Sequence, residues 1–114
     1  MNLKQKIAVL TLTGAALFTA TPAMAGDMYA KSGGAVAWSY GTNGSVAVSD
    51  TQADGDETYA NYDRRYNTGY ELRNKSGAGT TVYSSADTTN YVTRLRACQE
   101  VDFLPDNCSS YSYR

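Results

Sequence analysis

The stretch Ala35-Val36-Ala37-Trp38-Ser39-Tyr40-Gly41-Thr42-Asn43-Gly44-Ser45-Val46-Ala47-Val48 decides the fold. Val36, Trp38 and Tyr40 alternate with smaller residues, and so do Val46 and Val48; a period of two puts each set on one face of a strand. Gly41-Thr42-Asn43-Gly44 lies between the runs and carries an Asn-Gly pair able to take positive φ, as a tight hairpin turn requires. Two antiparallel strands are the reading.

The pattern repeats in both directions, bounded by Gly, Asn, Asp and Ser, while helical periodicity is hard to find. Further strands are expected from Glu57 to Asp63, from Gly69 to Asn74, at Thr80–Ser84 around Val82, and from Asn90 to Cys98. In the second of these Tyr70 and Leu72 oppose Glu71 and Arg73. In the last, Tyr91, Thr93, Leu95 and Ala97 oppose Val92, Arg94 and Arg96. Asn74-Lys75-Ser76-Gly77-Ala78-Gly79 reads as a turn. About six short strands predict an all-β domain, a small antiparallel sandwich or partly open barrel with one disulfide. Its core is thin. After Gly26 the large aliphatics are Val36, Val46, Val48, Leu72, Val82, Val92, Leu95, Val101 and Leu104, so the ten tyrosines, Trp38 and Phe103 must supply apolar area, several of them half-buried with the hydroxyl in water.

The chain has 114 residues, 10 basic and 11 acidic side chains and no histidine. Near-neutral charge argues against nucleic acid as a partner. Without histidine there is no Ser-His-Asp or Cys-His catalysis and no His-containing zinc site, and two cysteines cannot form a four-thiolate cage. An enzyme is not expected, because the acids concentrate in one local loop whereas paired catalytic carboxylates must face each other across a substrate.

Lys4 and Lys6 precede an apolar run from Ile7 to Ala20, and Ala23-Met24-Ala25 offers small residues at a cleavage site before Gly26. Residues 1–25 read as a signal peptide and 26–114 as a single secreted β domain, with no membrane insertion: the run is shorter than the roughly 20 residues of a spanning helix. The 89 residues that remain keep all 11 acids and eight bases, a net charge of −3. Outside the cytoplasm Cys98 and Cys108 become a disulfide candidate, since Pro105-Asp106-Asn107 can turn the intervening chain.

Asp50, Asp54, Asp56 and Glu57 put four carboxylates within eight residues, an oxygen-rich setting suited to calcium, though the spacing is not that of an EF-hand and a polar turn explains the same composition. No other cofactor is indicated. Tyr59, Tyr62, Tyr66 and Tyr70, with Arg64 and Arg65 among them, combine aromatic faces with hydrogen-bonding groups suited to a glycan or a partner protein; covering a sheet is the structural use of the same residues. Arg94 and Arg96 share a strand face and can hold an anion or pair with Glu71, Glu57 or another neighbour.

Val48-Ser49-Asp50, Ala53-Asp54-Gly55, Asn74 with Gly77, Arg94-Leu95-Arg96-Ala97-Cys98 and Cys108-Ser109 occur in this order, and on these motifs the chain resembles small exported proteins of actinomycetes, largely uncharacterised. In that group the position matching Ser49 and one near Gly77–Thr80 are often cysteines forming a second disulfide; here both are absent, as though a bridge were lost as a pair. The resemblance implies a small β domain outside the cell and transfers no activity or binding residue.

The expectation is therefore a secreted, non-enzymatic binding or surface-associated β domain for an extracellular protein or glycan, using its tyrosine-rich strands and an exposed Tyr111–Tyr113 tail. The alternative is a secreted inhibitor of an extracellular hydrolase, presenting Asn61–Thr68 or the disulfide loop to an enzyme cleft.

Overall fold

The structure, a computed structural model, describes residues 27–114, so the expected signal peptide and its cleavage point lie outside the described residues. Within it every regular element is a strand: β1 (Tyr29–Ser32), β2 (Ala35–Tyr40), β3 (Ser45–Asp50), β4 (Glu57–Arg64), β5 (Tyr70–Asn74), β6 (Thr80–Tyr83), β7 (Val92–Glu100), β8 (Asn107–Cys108) and β9 (Ser112–Tyr113). The first sheet has the order β1-β2-β3-β6 and the second β5-β4-β7, with β8 and β9 both laid along the free edge of β7; all pairings are antiparallel. The sheets pack face to face as a sandwich around one hydrophobic cluster. The all-β fold with a Cys98–Cys108 disulfide is thus present.

Among the described residues nine strands stand where about six were expected. β1 has no large aliphatic; it forms because Ala30 and Ser32 fit inward against β2 and its backbone completes the sheet edge, a tertiary gain that local propensity does not report. In the expected Tyr111–Tyr113 tail Tyr113 is exposed and Tyr111 half-buried, and the segment is held to the sheet. Ser112 and Tyr113 pair with Leu95 and Arg94, and Cys108 pairs with Cys98, so the C-terminal segment is an interrupted edge strand on β7 whose two halves differ by one residue in register.

The central hairpin forms with Trp38 opposite Ala47, but its turn places positive φ at Gly41 (60°), Thr42 (58°) and Asn43 (60°), and not at Gly44. Asn43 tolerates that region and is held by the Ser39 hydroxyl, which donates to its Oδ1 at 2.6 Å while accepting from the Met28 amide at 2.8 Å. Val36, Trp38 and Tyr40 do share a face, and it is the outer one: Ala35, Ala37 and Ser39 point into the sandwich. In register, Ala37 and Ser39 lie beside Val48 and Val46, which are fully buried, so small side chains on β2 make room for large ones on β3 in a layer only about 10 Å deep.

Val46, Val48, Val92 and Leu95 form the buried centre with Met28, Tyr62 and five alanines, and Tyr70, Leu72 and Val82 close its margin. Strict alternation had placed Val92 with Arg94 and Arg96. A register shift in the β4–β7 ladder between Asp63 and Arg64 turns it to the side of Leu95 and Ala97 instead. Leu104, counted among the core aliphatics, is exposed.

Candidate functional site

The tyrosine and arginine stretch expected to form one binding surface is divided by the sandwich. Tyr62 points inward and stacks on Tyr70, with ring centroids 5.1 Å apart and planes 14° from parallel. Arg64 is only 6% exposed. Its guanidinium donates to the carbonyl oxygens of Gly44 (3.1 Å), Ser85 (3.0 Å), Asn90 (2.8 Å) and Asp87 (3.4 Å), and lies 5.7 and 5.8 Å from the Tyr62 and Tyr70 rings. This is a clamp joining the hairpin turn to the chain before β7. Tyr59 is buried as well, which leaves Arg65 and Tyr66 exposed, the guanidinium 4.9 Å from the Tyr66 ring and 5.5 Å from the Tyr91 ring.

The four acidic residues considered for calcium are divided among protein partners, with Asp54 and Asp56 sharing one. Asp54 and Asp56 both accept from Gln99 Nε2, at 2.7 and 2.9 Å, while Gln99 Oε1 accepts from the Gly34 amide at 3.1 Å. Gly33 makes this approach possible: its φ is +55°, and a Cβ there would stand 2.1 Å from Gln99 Oε1. Asp50 accepts from the Gln52 amide at 3.2 Å; burial raises its pKa above the ordinary carboxylate value, against the Gln52 bond and with the charges of Asp54 and Asp56. Glu57 turns to Arg73. Among the described residues no group of three or more such side chains is placed to hold a metal ion. Sequence proximity missed Gln99, which is 43 residues beyond Asp56 and reaches this loop only across the sandwich edge.

The outer face of the second sheet is a lattice of charge pairs. Arg73 bonds Glu71 (2.9 Å), Glu57 (3.1 Å) and Glu100, and its guanidinium lies 4.4 Å from the Tyr59 ring; the bond to Glu71, joined by those to Glu100 and Glu57, raises its pKa despite burial. The Tyr59 hydroxyl donates to Asp106, and burial together with that bond pushes its pKa up to about 12. Arg94 and Arg96 are engaged by cross-strand neighbours: Arg94 pairs with Asp63 at 2.7 Å, Arg96 donates to Asn61 at 3.1 Å, and both lie over Tyr111, at 4.0 and 5.1 Å. Burial pushes the Asp63 pKa up, but the Gly69 amide and the Arg94 guanidinium prevail and hold it below the ordinary value. A shallow groove of about 290 Å³ runs between Asp63, Tyr70, Arg94 and Tyr111.

The outer face of the first sheet is different in kind. Register aligns Tyr29, Trp38, Ala47 and Tyr83 in one row across β1, β2, β3 and β6. Tyr29 is 58% and Tyr83 61% exposed, Trp38 and Tyr40 are half-buried, and Ala47 in the middle of the row has no exposed surface. Tyr40 meets Tyr83 edge to face, centroids 6.0 Å apart. Burial raises the pKa of Tyr29, and burial with the neighbouring Tyr40 does the same for Tyr83, so both are neutral phenols at ordinary pH. The outward positions of these four strands carry a single charge, Lys31. The alternation of Val36, Trp38 and Tyr40 was visible in the sequence; that it faces outward was not.

One further feature stands out from the surface. Phe103 is fully exposed with φ of +62°, and Leu104 beside it is 65% exposed, at the tip of the loop closed by Cys98–Cys108. Asp106 under Tyr59, and the Ser32 hydroxyl donating to the Asn107 carbonyl at 2.9 Å, brace the base of that loop.

No family model, curated protein or solved structure matches this chain.

Proposed function

We propose that the protein is a secreted, non-enzymatic binding domain that engages an extracellular partner through the outer face of the β1-β2-β3-β6 sheet. The observation that carries this reading is the aligned Tyr29, Trp38 and Tyr83, with Tyr40 packed beside Tyr83, left open by the described residues on a face almost without charge. Clustered exposed aromatics mark interaction surfaces, since water alone gives them no compensation. The disulfide agrees with a compartment where thiols are oxidised. The other face is a less suitable site because Arg73, Arg94 and their acidic partners are already engaged with one another.

Trp38, the one tryptophan of the chain, reports occupancy directly. Purified protein mixed with insoluble extracellular material is expected to be retained with a change in tryptophan emission. A Tyr29→Ala, Tyr83→Ala double variant of unchanged melting temperature is expected to be released. Equal retention of the two proteins overturns the reading.

The Phe103–Leu104 loop favours a second reading, inhibition of an extracellular endopeptidase whose specificity pocket takes a large apolar side chain. A disulfide-closed, braced loop with an apolar tip enters a cleft with little loss of freedom. Stoichiometric inhibition that disappears in Phe103→Ala supports it, and no inhibition at micromolar excess removes it.

A further inference from the structure

Independently of the aromatic face, we infer that the outer side of the second sheet, at the end where β4 finishes and β7 starts, is a binding site for an acidic polysaccharide held through its sulfate or carboxylate groups. Val92 and Leu95 take the inward positions of β7, so Tyr91, Arg94 and Arg96 face outward, and Arg65 follows β4 on the same side. Arg114 joins them, its guanidinium 4.1 Å from the Tyr91 ring. Of these four arginines only Arg94 has an acidic partner among the described residues, Asp63. The acids gather elsewhere. Glu57 and Glu100 are register partners at the far end of the same two strands, and Asp54 and Asp56 meet Gln99 there. Residues 26–114 carry a net charge of −3, yet that charge is divided along the strands, so an anion is drawn to one end only.

The cations are set in two pairs, each pair on one tyrosine. Arg94 and Arg96 lie 4.0 and 5.1 Å from the Tyr111 ring, and Arg65 and Arg114 lie 5.5 and 4.1 Å from the Tyr91 ring. Sharing a ring holds the two charges of a pair within about 10 Å of each other, close enough for an oxoanion between them to be attracted by both. The pairs are in place before any ligand arrives. Arg96 Nε donates to Asn61 at 3.1 Å and Arg94 Nε to Asp63 at 2.7 Å, which orients both guanidiniums from β4 while the Nη groups of Arg96 meet no protein acceptor among the described residues. Beneath the other pair the Arg65 amide donates to the Tyr91 carbonyl at 2.8 Å and the Arg114 amide to the Thr93 carbonyl at 3.0 Å. Groups already positioned lose less freedom on binding.

Two pairs call for a ligand with repeated anionic groups. From Tyr91 to the level between Arg94 and Arg96 is about four strand steps, roughly 13 Å, which a polymer spans and a single small anion does not. Sugar units fit beside the charges. The groove of about 290 Å³ next to Arg94 is lined by Asn61, Thr68, Tyr70 and Tyr111, hydrogen-bonding groups together with ring surface, the combination that suits a pyranose with its apolar faces and hydroxyl rim. Nucleic acid is a poorer match, because proteins that bind single strands keep aromatic faces bare for the bases, whereas the Tyr91 and Tyr111 rings each carry two guanidiniums already. An acidic peptide brings carboxylates without the sugar ring that the groove accepts.

The test titrates the protein calorimetrically with dextran sulfate and with polygalacturonate, using neutral dextran, oligothymidylate and polyglutamate for comparison. Binding to an acidic polysaccharide is expected, the tighter of the two identifying the anionic group, and it should weaken at least tenfold between about 20 and 200 mM salt. The Arg65→Gln, Arg114→Gln double variant and the Arg96→Gln variant should each bind about tenfold more weakly. Arg65 and Arg114 are exposed, so the melting curve of the double variant should remain unchanged. A Lys31→Gln, Lys75→Gln double variant removes as much charge from other parts of the surface and should bind as wild type, which separates these paired arginines from attraction to charge in general. The Tyr29→Ala, Tyr83→Ala variant should also bind these polymers as wild type, so this site and the aromatic face stand or fall separately. Failure of both acidic polysaccharides to bind overturns the inference. So does tighter binding to oligothymidylate or polyglutamate, or an arginine double variant no weaker than the lysine one.

Discussion

Arg64 Nη1 lies 2.8 Å from the carbonyl oxygen of Asn90, tying the end of β4 to the chain that enters β7. Because the same guanidinium also reaches Gly44 and Ser85, one buried cation satisfies carbonyls from two separate segments, the hairpin turn and the β6–β7 connection.

Removing it leaves those carbonyls without their charged donor. Arg64→Ala is expected to lower stability by about 3 kcal/mol, and Arg64→Lys to recover less than half, since an ammonium cannot reproduce the planar fork. Urea unfolding measures both. A loss below about 1 kcal/mol for the alanine variant would show that the clamp is dispensable.

Cys98 and Cys108 are register partners on β7 and β8, so the bridge joins strands that also share backbone pairing, at the sheet edge. Closing a loop of ten residues in the unfolded chain is worth about 2.7 kcal/mol by the chain-entropy relation. The Cys98→Ser, Cys108→Ser double variant is expected to lose about that much and to release β8 and the Phe103 loop first, which hydrogen exchange at residues 101–109 would report.

Tyr59 makes stability sensitive to alkali. Its folded pKa of about 12 lies above the ordinary phenol value of 10.0, so the fold favours the neutral hydroxyl bonded to Asp106. The resulting stabilisation is complete below pH 10 and is lost as pH rises toward 12, an increment of about 2–3 kcal/mol. Tyr59→Phe keeps the ring beneath Arg73 and should flatten this part of the stability curve relative to wild type. An unchanged slope between pH 10 and 12 would disconnect Tyr59 from alkaline unfolding.

Calcium at millimolar concentration is expected to leave the melting temperature where it is, because Gln99 engages Asp54 and Asp56 and Arg73 engages Glu57. A ligand selective for the folded state would raise it. A rise reversed by chelator would mean that the loop gives up these bonds to coordinate the ion.

The residues that were legible in advance are those whose local pattern coincides with their final role. Val46 and Val48 alternate and are buried; Gly41 to Asn43 turn; Cys98 and Cys108 are spaced for a bridge and form one. Tyr62 and Arg64 were misplaced because composition shows that a stretch is aromatic and basic without showing which side of a strand each residue takes. A single register shift near Asp63 was enough to bring Val92 into the core.

Alternation, turn chemistry and cysteine spacing are local, so the amino-acid chain alone determined that this domain is built of antiparallel strands and stapled once near its C-terminal end. Which face each strand turns to the other sheet depends on how side-chain volumes from distant segments fit one thin core. Only the tertiary structure could therefore put alanines inward on β2, leave Trp38 outside in line with Tyr29 and Tyr83, and carry Gln99 to an acidic loop more than forty residues away.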